Sequence, residues 1–322
     1  MFPVSPRCAF LREEAVNQKT YMKLWYAQRN VYFTIGRTEA LRAGKTESES
    51  VAAGISTALE RFTPVIIPGE LIVGFNYGEA ACPEYYYPPD SDDGRRVMRE
   101  NGISPEDIER YFDAVKNPAV PSTPPASVSF TEEEKQAEWE WSAIGRCIDS
   151  NHSVLGYEAV LKKGFSGLLE EVEEAERKNG PCPLYESAKR ICLSAAGMGE
   201  KYARKAAELL ESGDSGYRAE DLREIIEICS RVPREPARSF AEAIQALWFA
   251  HIVNTWEDTI NANSVGRLDQ ILYPYYAADI EKGILRRSGP SSCSAASGSS
   301  STAITTCSSP VSAAPPRTGS PR

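Results

Sequence analysis

Histidine is nearly absent from this chain: two occur in 322 residues, beside four methionines. Two imidazoles leave little material for a His-built metal site. Basic charge is also scarce. There are 36 Lys and Arg against 45 Asp and Glu, a net charge of −9. That balance excludes a protein that neutralises nucleic-acid phosphates with a basic face. No run of about 18 or more apolar residues occurs, so no membrane span is expected. Met1 to Val16 lacks an apolar stretch and soon carries Glu13 and Glu14, so it does not read as a secretory signal. Phosphate-loop, dinucleotide-fold and serine-elbow signatures are all missing. The eight cysteines form no C-x-x-C pair, which argues against zinc and thioredoxin-type chemistry. Reduced thiols and a cytoplasmic location are the expectation.

The averages conceal a seam. Residues 288–322 hold 12 serines, no Asp or Glu, and only Arg317 and Arg322 as charges. Residues 1–287 therefore carry 34 basic and 45 acidic side chains, a net of −11. The tail has almost no aliphatic side chain to bury. It cannot offset the entropy of ordering its backbone and is expected to be disordered and of low complexity. The organisation predicted is a body at 1–287 and a tail at 288–322.

The body reads as mainly α. Apolar residues at three- and four-residue steps predict helices over 10–43 and 154–178, and further stripes over 184–209 and 222–229. Thr131 with Glu134 and Ser239 with Glu242 have capping-box spacing. After the second, Phe240, Ile244, Leu247, Trp248 and His251 follow on one helical face. Val65-Ile66-Ile67 and Leu71-Ile72-Val73 flank Pro68-Gly69 and predict a buried hairpin or a pair of short strands. A short helix is expected after Leu272 to Tyr276, ending near Gly283.

Few residues could carry chemistry. His152 lies among small polar residues ahead of a helix. It is either a ligand-facing imidazole, kept neutral by the helix N-terminus, or a capping or surface residue. His251 shares an apolar face with Trp248 and reads as a satisfied core histidine. Asn261, Asn263, Ser264, Gly266, Arg267 and Asp269 crowd polar groups into one short stretch. Arg267 and Asp269 read as an ion pair fixing a strand start. The asparagines could instead project amides into a pocket.

The stretch SFAEAIQALWFAHIVNTWEDTINANSVGRLDQILYPYYAADIEKGIL, Ser239 to Leu285, resembles the pyruvate formate-lyase-like glycyl radical enzymes. LREEAVNQK, GELIVG and NHSVLGYEAVLKKGFSGL resemble upstream blocks of that family, so the likeness covers roughly residues 10–285. It implies a fold: the N-terminal helical part of a ten-stranded α/β barrel, here truncated. It implies a chemistry too. A backbone glycyl radical passes to a cysteine as a thiyl, which abstracts hydrogen from a small polar substrate in a site that excludes water. A separate iron–sulfur activating enzyme using S-adenosylmethionine installs the radical. No cofactor is bound directly, and the chains pair as homodimers.

Neither catalytic element of that pattern is present. Arg231-Val232 is followed by Pro233 rather than leading to the radical glycine. The residues before the six body cysteines are Arg, Ala, Arg, Pro, Ile and Ile, where the family has Gly. The chain is therefore expected to be an N-terminal fragment, inactive as it stands, with an out-of-frame tail. On the resemblance, His152 matches a substrate-side His or Asp of the dehydratase-type members. Asn261 and Ala262 replace a His and a Ser of the glycerol-dehydratase-like ones, which disfavours glycerol. Ile144 offers no hydrogen bond at another substrate position, implying a partly apolar substrate end or no role. The substrate-side set is then His152, Asn261, Asn263 and Ser264, with Arg267 and Asp269 structural. The alternative is a non-catalytic helical binding or scaffold protein derived from that fold.

Overall fold

The computed structural model describes residues 6–17, 28–75, 90–119, 131–133, 152–258, 262–285, 293–295 and 305–307. These are mostly helical. In chain order the helices are α1 (Pro6–Asn17), α2 (Asn30–Arg42), α3 (Glu47–Arg61), α4 (Asp92–Glu100) and α5 (Pro105–Lys116). After a three-residue strand β1 (His152–Val154) come α6 (Tyr157–Asn179), α7 (Pro183–Ala196), α8 (Met198–Ser212), α9 (Ala219–Cys229) and α10 (Phe240–Asp258). Strand β2 (Ala262–Ser264) and α11 (Leu268–Glu281) follow. Two more short strands, β3 (Cys293–Ala295) and β4 (Thr305–Cys307), pair antiparallel. No described helix is long and apolar enough to cross a membrane.

Local chemistry accounts for the helix ends. Thr46 and Glu49 form a complete capping box on α3: Glu49 N–H donates to Thr46 Oγ1, and Thr46 N–H donates to Glu49 Oε2 at 3.0 Å. Hydrogen bonds from Lys45 and Thr46 hold the Glu49 carboxyl down to about 2. Ser104 caps α5, with Pro105 in the first turn. Burial pushes the Asp107 carboxyl up, but hydrogen bonds from Arg61 and Ser104 outweigh it and leave it below its ordinary value. At Ser239 the expected box is only half made. Glu242 N–H donates to Ser239 Oγ at 3.1 Å, but the Glu242 carboxylate reaches Arg238 N–H instead. Glu134 lies outside the described residues.

Two expected helices are interrupted. The 10–43 reading resolves into α1 and α2, with 18–27 outside the described residues. The 154–178 reading breaks at Gly164, whose φ of +65° leaves the helical region. A side chain there would lie 2.1 Å from the Arg234 carbonyl oxygen. The break frees Phe165 and Ser166 N–H to donate to the carbonyls of Pro233 and Arg234, at 2.9 and 3.1 Å. The loop after α9 thus docks on α6 through backbone alone.

The core centres on α10. Its Ala243, Ala246, Leu247, Phe249 and Ile252 are completely buried, and Trp248 and Trp256 nearly so. That corrects the one-face reading: a helix apolar around its circumference is enclosed, and α10 touches α3, α6, α7, α9 and α11. Phe62, Phe75 and Trp256 meet with ring centroids 5.3–6.2 Å apart, in the offset and edge geometries aromatic rings favour.

Candidate functional site

Residues 62–75 contain no strand, contrary to the hairpin expectation. They run as irregular chain closed by one turn, in which Glu70 N–H donates to Ile67 O and Ile67 N–H donates to the Glu70 carboxylate. Buried backbone must still find partners. Side chains of α10 supply them. The fully buried Gln245 amide accepts from Val73 N–H and donates to Val73 O, both at 2.8 Å. Trp248 Nε1 donates to Gly74 O at 3.1 Å. A glutamine here does the work of a neighbouring strand. It joins the GELIVG segment to the helix that opens the long C-terminal block.

Other buried contacts fix the rest of α10. Its first turn is met by Asp279 of α11, whose Oδ2 accepts from Phe240 N–H at 2.8 Å. Its last turn is met by Arg29, 1% exposed, whose Nε donates to Trp256 O at 2.8 Å. A cation at a helix C-terminus is favourably placed against the helix dipole. Between them, His251 Nδ1 and the Tyr157 hydroxyl are 2.8 Å apart, and the imidazole stacks on Trp248. Burial pulls His251 down to about 4 and pushes the Tyr157 phenol up. Both groups are neutral near pH 7, so His251 is a satisfied core histidine.

The strand that precedes Tyr157 and the strand that follows α10 lie side by side. β1 and β2 pair in parallel, with His152 opposite Ala262, Ser153 opposite Asn263 and Val154 opposite Ser264. Parallel neighbours need a long crossover, here the whole run from α6 through α10. The sequence candidates His152, Asn263 and Ser264, 110 residues apart by register, are thereby brought together. Strand alternation puts positions 152 and 264 on one face of this ladder and 263 on the other. Asn261 and Ile144 lie outside the described residues.

Arg267 and Asp269 form the expected ion pair. Arg267 Nε and Nη2 donate to the two carboxylate oxygens at 2.9 and 2.7 Å, on the exposed surface. The pair stands at the start of α11 rather than of a strand. The cysteines show no activated thiol among those described: burial raises both Cys192 and Cys229, as for inert core thiols. Cys82 and Cys147 lie outside the described residues.

Sequence reasoning did not single out Gln245, Arg29 or Asp279. The signals existed: Gln and Asp stand at fixed places in the C-terminal block, and an Arg in an apolar context needs a partner.

Known proteins bear on this arrangement. The model of the pyruvate formate lyase-like family matches residues 15–290. Isethionate sulfite-lyase of Oleidesulfovibrio alaskensis is 36% identical over 139 residues, 39% of this chain and 16% of that protein. Trans-4-hydroxy-L-proline dehydratase of Clostridioides difficile is 35% identical over 147 residues, 42% and 18% respectively. Among solved structures, the glycerol-bound B12-independent glycerol dehydratase of Clostridium butyricum superposes with a TM-score of 0.63 at 25% identity, covering 86% of this chain and 37% of that one. The hydroxyproline dehydratase of C. difficile gives 0.64 at 24%, covering 89% and 38%, a likeness of fold. The chain thus spans well under half the length of the relatives it matches. Its relatives are glycyl radical lyases and dehydratases, and with the match running over most of its length the chain belongs to the pyruvate formate lyase-like family.

Proposed function

We propose that this chain forms a substrate-facing part of a cytoplasmic glycyl radical lyase or dehydratase, and that a small hydroxylated metabolite meets it along β1 and β2. The observation carrying this reading is the parallel register of His152–Val154 with Ala262–Ser264. Two relatives are named as dehydratases of hydroxyproline and glycerol, and loss of a hydroxyl calls for a group that can hold and protonate the leaving oxygen. A neutral histidine suits that task. Position 264 shares its face, and a serine there offers a second hydrogen bond. Arg267 and Asp269 belong to the scaffold, since their charges satisfy each other at the surface. The helical body corresponds to the helical wrapping of the family's ten-stranded barrel.

The radical-bearing glycine and the thiyl cysteine of the family pattern have no counterpart among residues 1–322. The chain alone is therefore inactive in this reading. An activating enzyme and homodimer pairing belong to the same proposal. Two measurements test it. Calorimetric titration of the full chain with trans-4-hydroxy-L-proline and glycerol should show binding of the former, weakened at least about tenfold by His152→Ala. Absent or unaltered binding overturns the substrate face. Electron paramagnetic resonance after treatment with an iron–sulfur activating enzyme and S-adenosylmethionine should show no glycyl doublet. A doublet overturns the claim of inactivity.

A further inference from the structure

β1 and β2 are three residues long. A two-stranded ladder that short has little stability of its own, so its register must be imposed by what flanks it. β1 runs through Leu155 and Gly156 directly into α6, and Tyr157 is the first residue of that helix. β2 follows α10 after a short link. The contact between the two flanking helices nearest the ladder on the α6 side is the hydrogen bond between the Tyr157 hydroxyl and His251 Nδ1, 2.8 Å long. Tyr157 is 2% exposed and His251 5%. Trp248 stacks on the imidazole and donates to Gly74 O, so the ring is held against α10 in one orientation.

We propose that the Tyr157–His251 hydrogen bond is a positioning contact that holds β1 and β2 in register and so sets the spacing between positions 152 and 262–264. Its role toward substrate rests on the reading of that ladder as the substrate face. The register role does not. Neither group touches the candidate substrate residues. The pair acts through the backbone: the hydroxyl fixes the root of β1, and the imidazole, with Arg29 clamping the last turn of α10, fixes the origin of β2. A buried hydrogen bond suits this use, because an unpaired partner costs the full desolvation of its group, whereas shape-matched packing alone tolerates a slip.

The test is amide hydrogen exchange on the full chain, read at β1 and β2 and, as a control, at α2 and α3. Tyr157→Phe removes one oxygen and keeps the ring. It should accelerate exchange at residues 153–154 and 263–264 by about tenfold or more while leaving α2 and α3 unchanged. His251→Leu should do the same. His251→Asn places an amide atom near the Nδ1 position and should restore protection to within about threefold. Unchanged strand exchange in Tyr157→Phe overturns the proposal, as does equal acceleration in strands and control helices, or failure of Asn to restore what Leu loses. If the strands respond as expected but no hydroxylated ligand binds, the register role stands and only the substrate reading falls.

Discussion

At the scale of single residues, two positions have consequences that can be measured directly. Gly164 occupies a left-handed conformation against the Arg234 carbonyl. Gly164→Ala adds a methyl where the nearest atom is backbone that cannot rotate away. It should cost roughly 3 kcal/mol or more, seen as a lowered urea midpoint with unchanged slope. His251 is the second. Its ordinary value is near 6.5, and burial lowers it to about 4 in the folded chain. The folded state therefore prefers the neutral ring. The stability this contributes is complete above about pH 6.5 and is lost as pH falls toward 4. Between pH 7 and 4.5 the native chain should lose roughly 2–3 kcal/mol more than His251→Asn. Subtracting the variant's profile removes the background of carboxylates. Parallel profiles would rule this out.

At the scale of elements, α11 acts as a clasp on α10. Its C-terminus is closed by Gly283 with φ +70°, Gly283 N–H donating to Ile280 O and Ile284 N–H to Asp279 O, the Schellman arrangement. The same Asp279 sends its carboxylate to the N-terminus of α10. Asp279→Ala should cost roughly 1–2 kcal/mol as a lost cap, and the exchange it accelerates should be confined to the first turn of α10. Much of this element level was legible in advance. Three- and four-residue apolar spacing located α6 through α9 because packing dominates their formation. Three features were not legible, each for a physical reason. Periodicity continues on both sides of Gly164, so nothing local marks the break. The one-face stripe on α10 describes one side of a helix buried on all sides. The segment 62–75 has strand composition, but its partner is a side chain, and hydropathy patterns carry no information about side-chain amides. The candidate site divides in the same way. Likeness to known enzymes nominated His152 and Ser264, yet their adjacency arises from a crossover of five helices that no local signal describes.

At the scale of the whole molecule, the long-range ties converge on α10. Gln245 reaches back to Val73 across 172 residues of chain, Trp248 to Gly74 across 174, and Trp256 receives Arg29 across 227. Contacts so distant in sequence close large loops before they return any stabilisation, which slows folding. The apolar run from Val65 to Val73 is made early on the ribosome, and the amide that satisfies it is made late. At roughly 5–20 residues per second, the gap between them is on the order of ten seconds or more. Throughout that interval a β-prone stretch stands with unpaired backbone groups, open to pairing with another chain. The glutamine that replaces a strand in the finished fold thus leaves the nascent chain dependent on time, and on whatever shields Val65 to Val73 until α10 arrives.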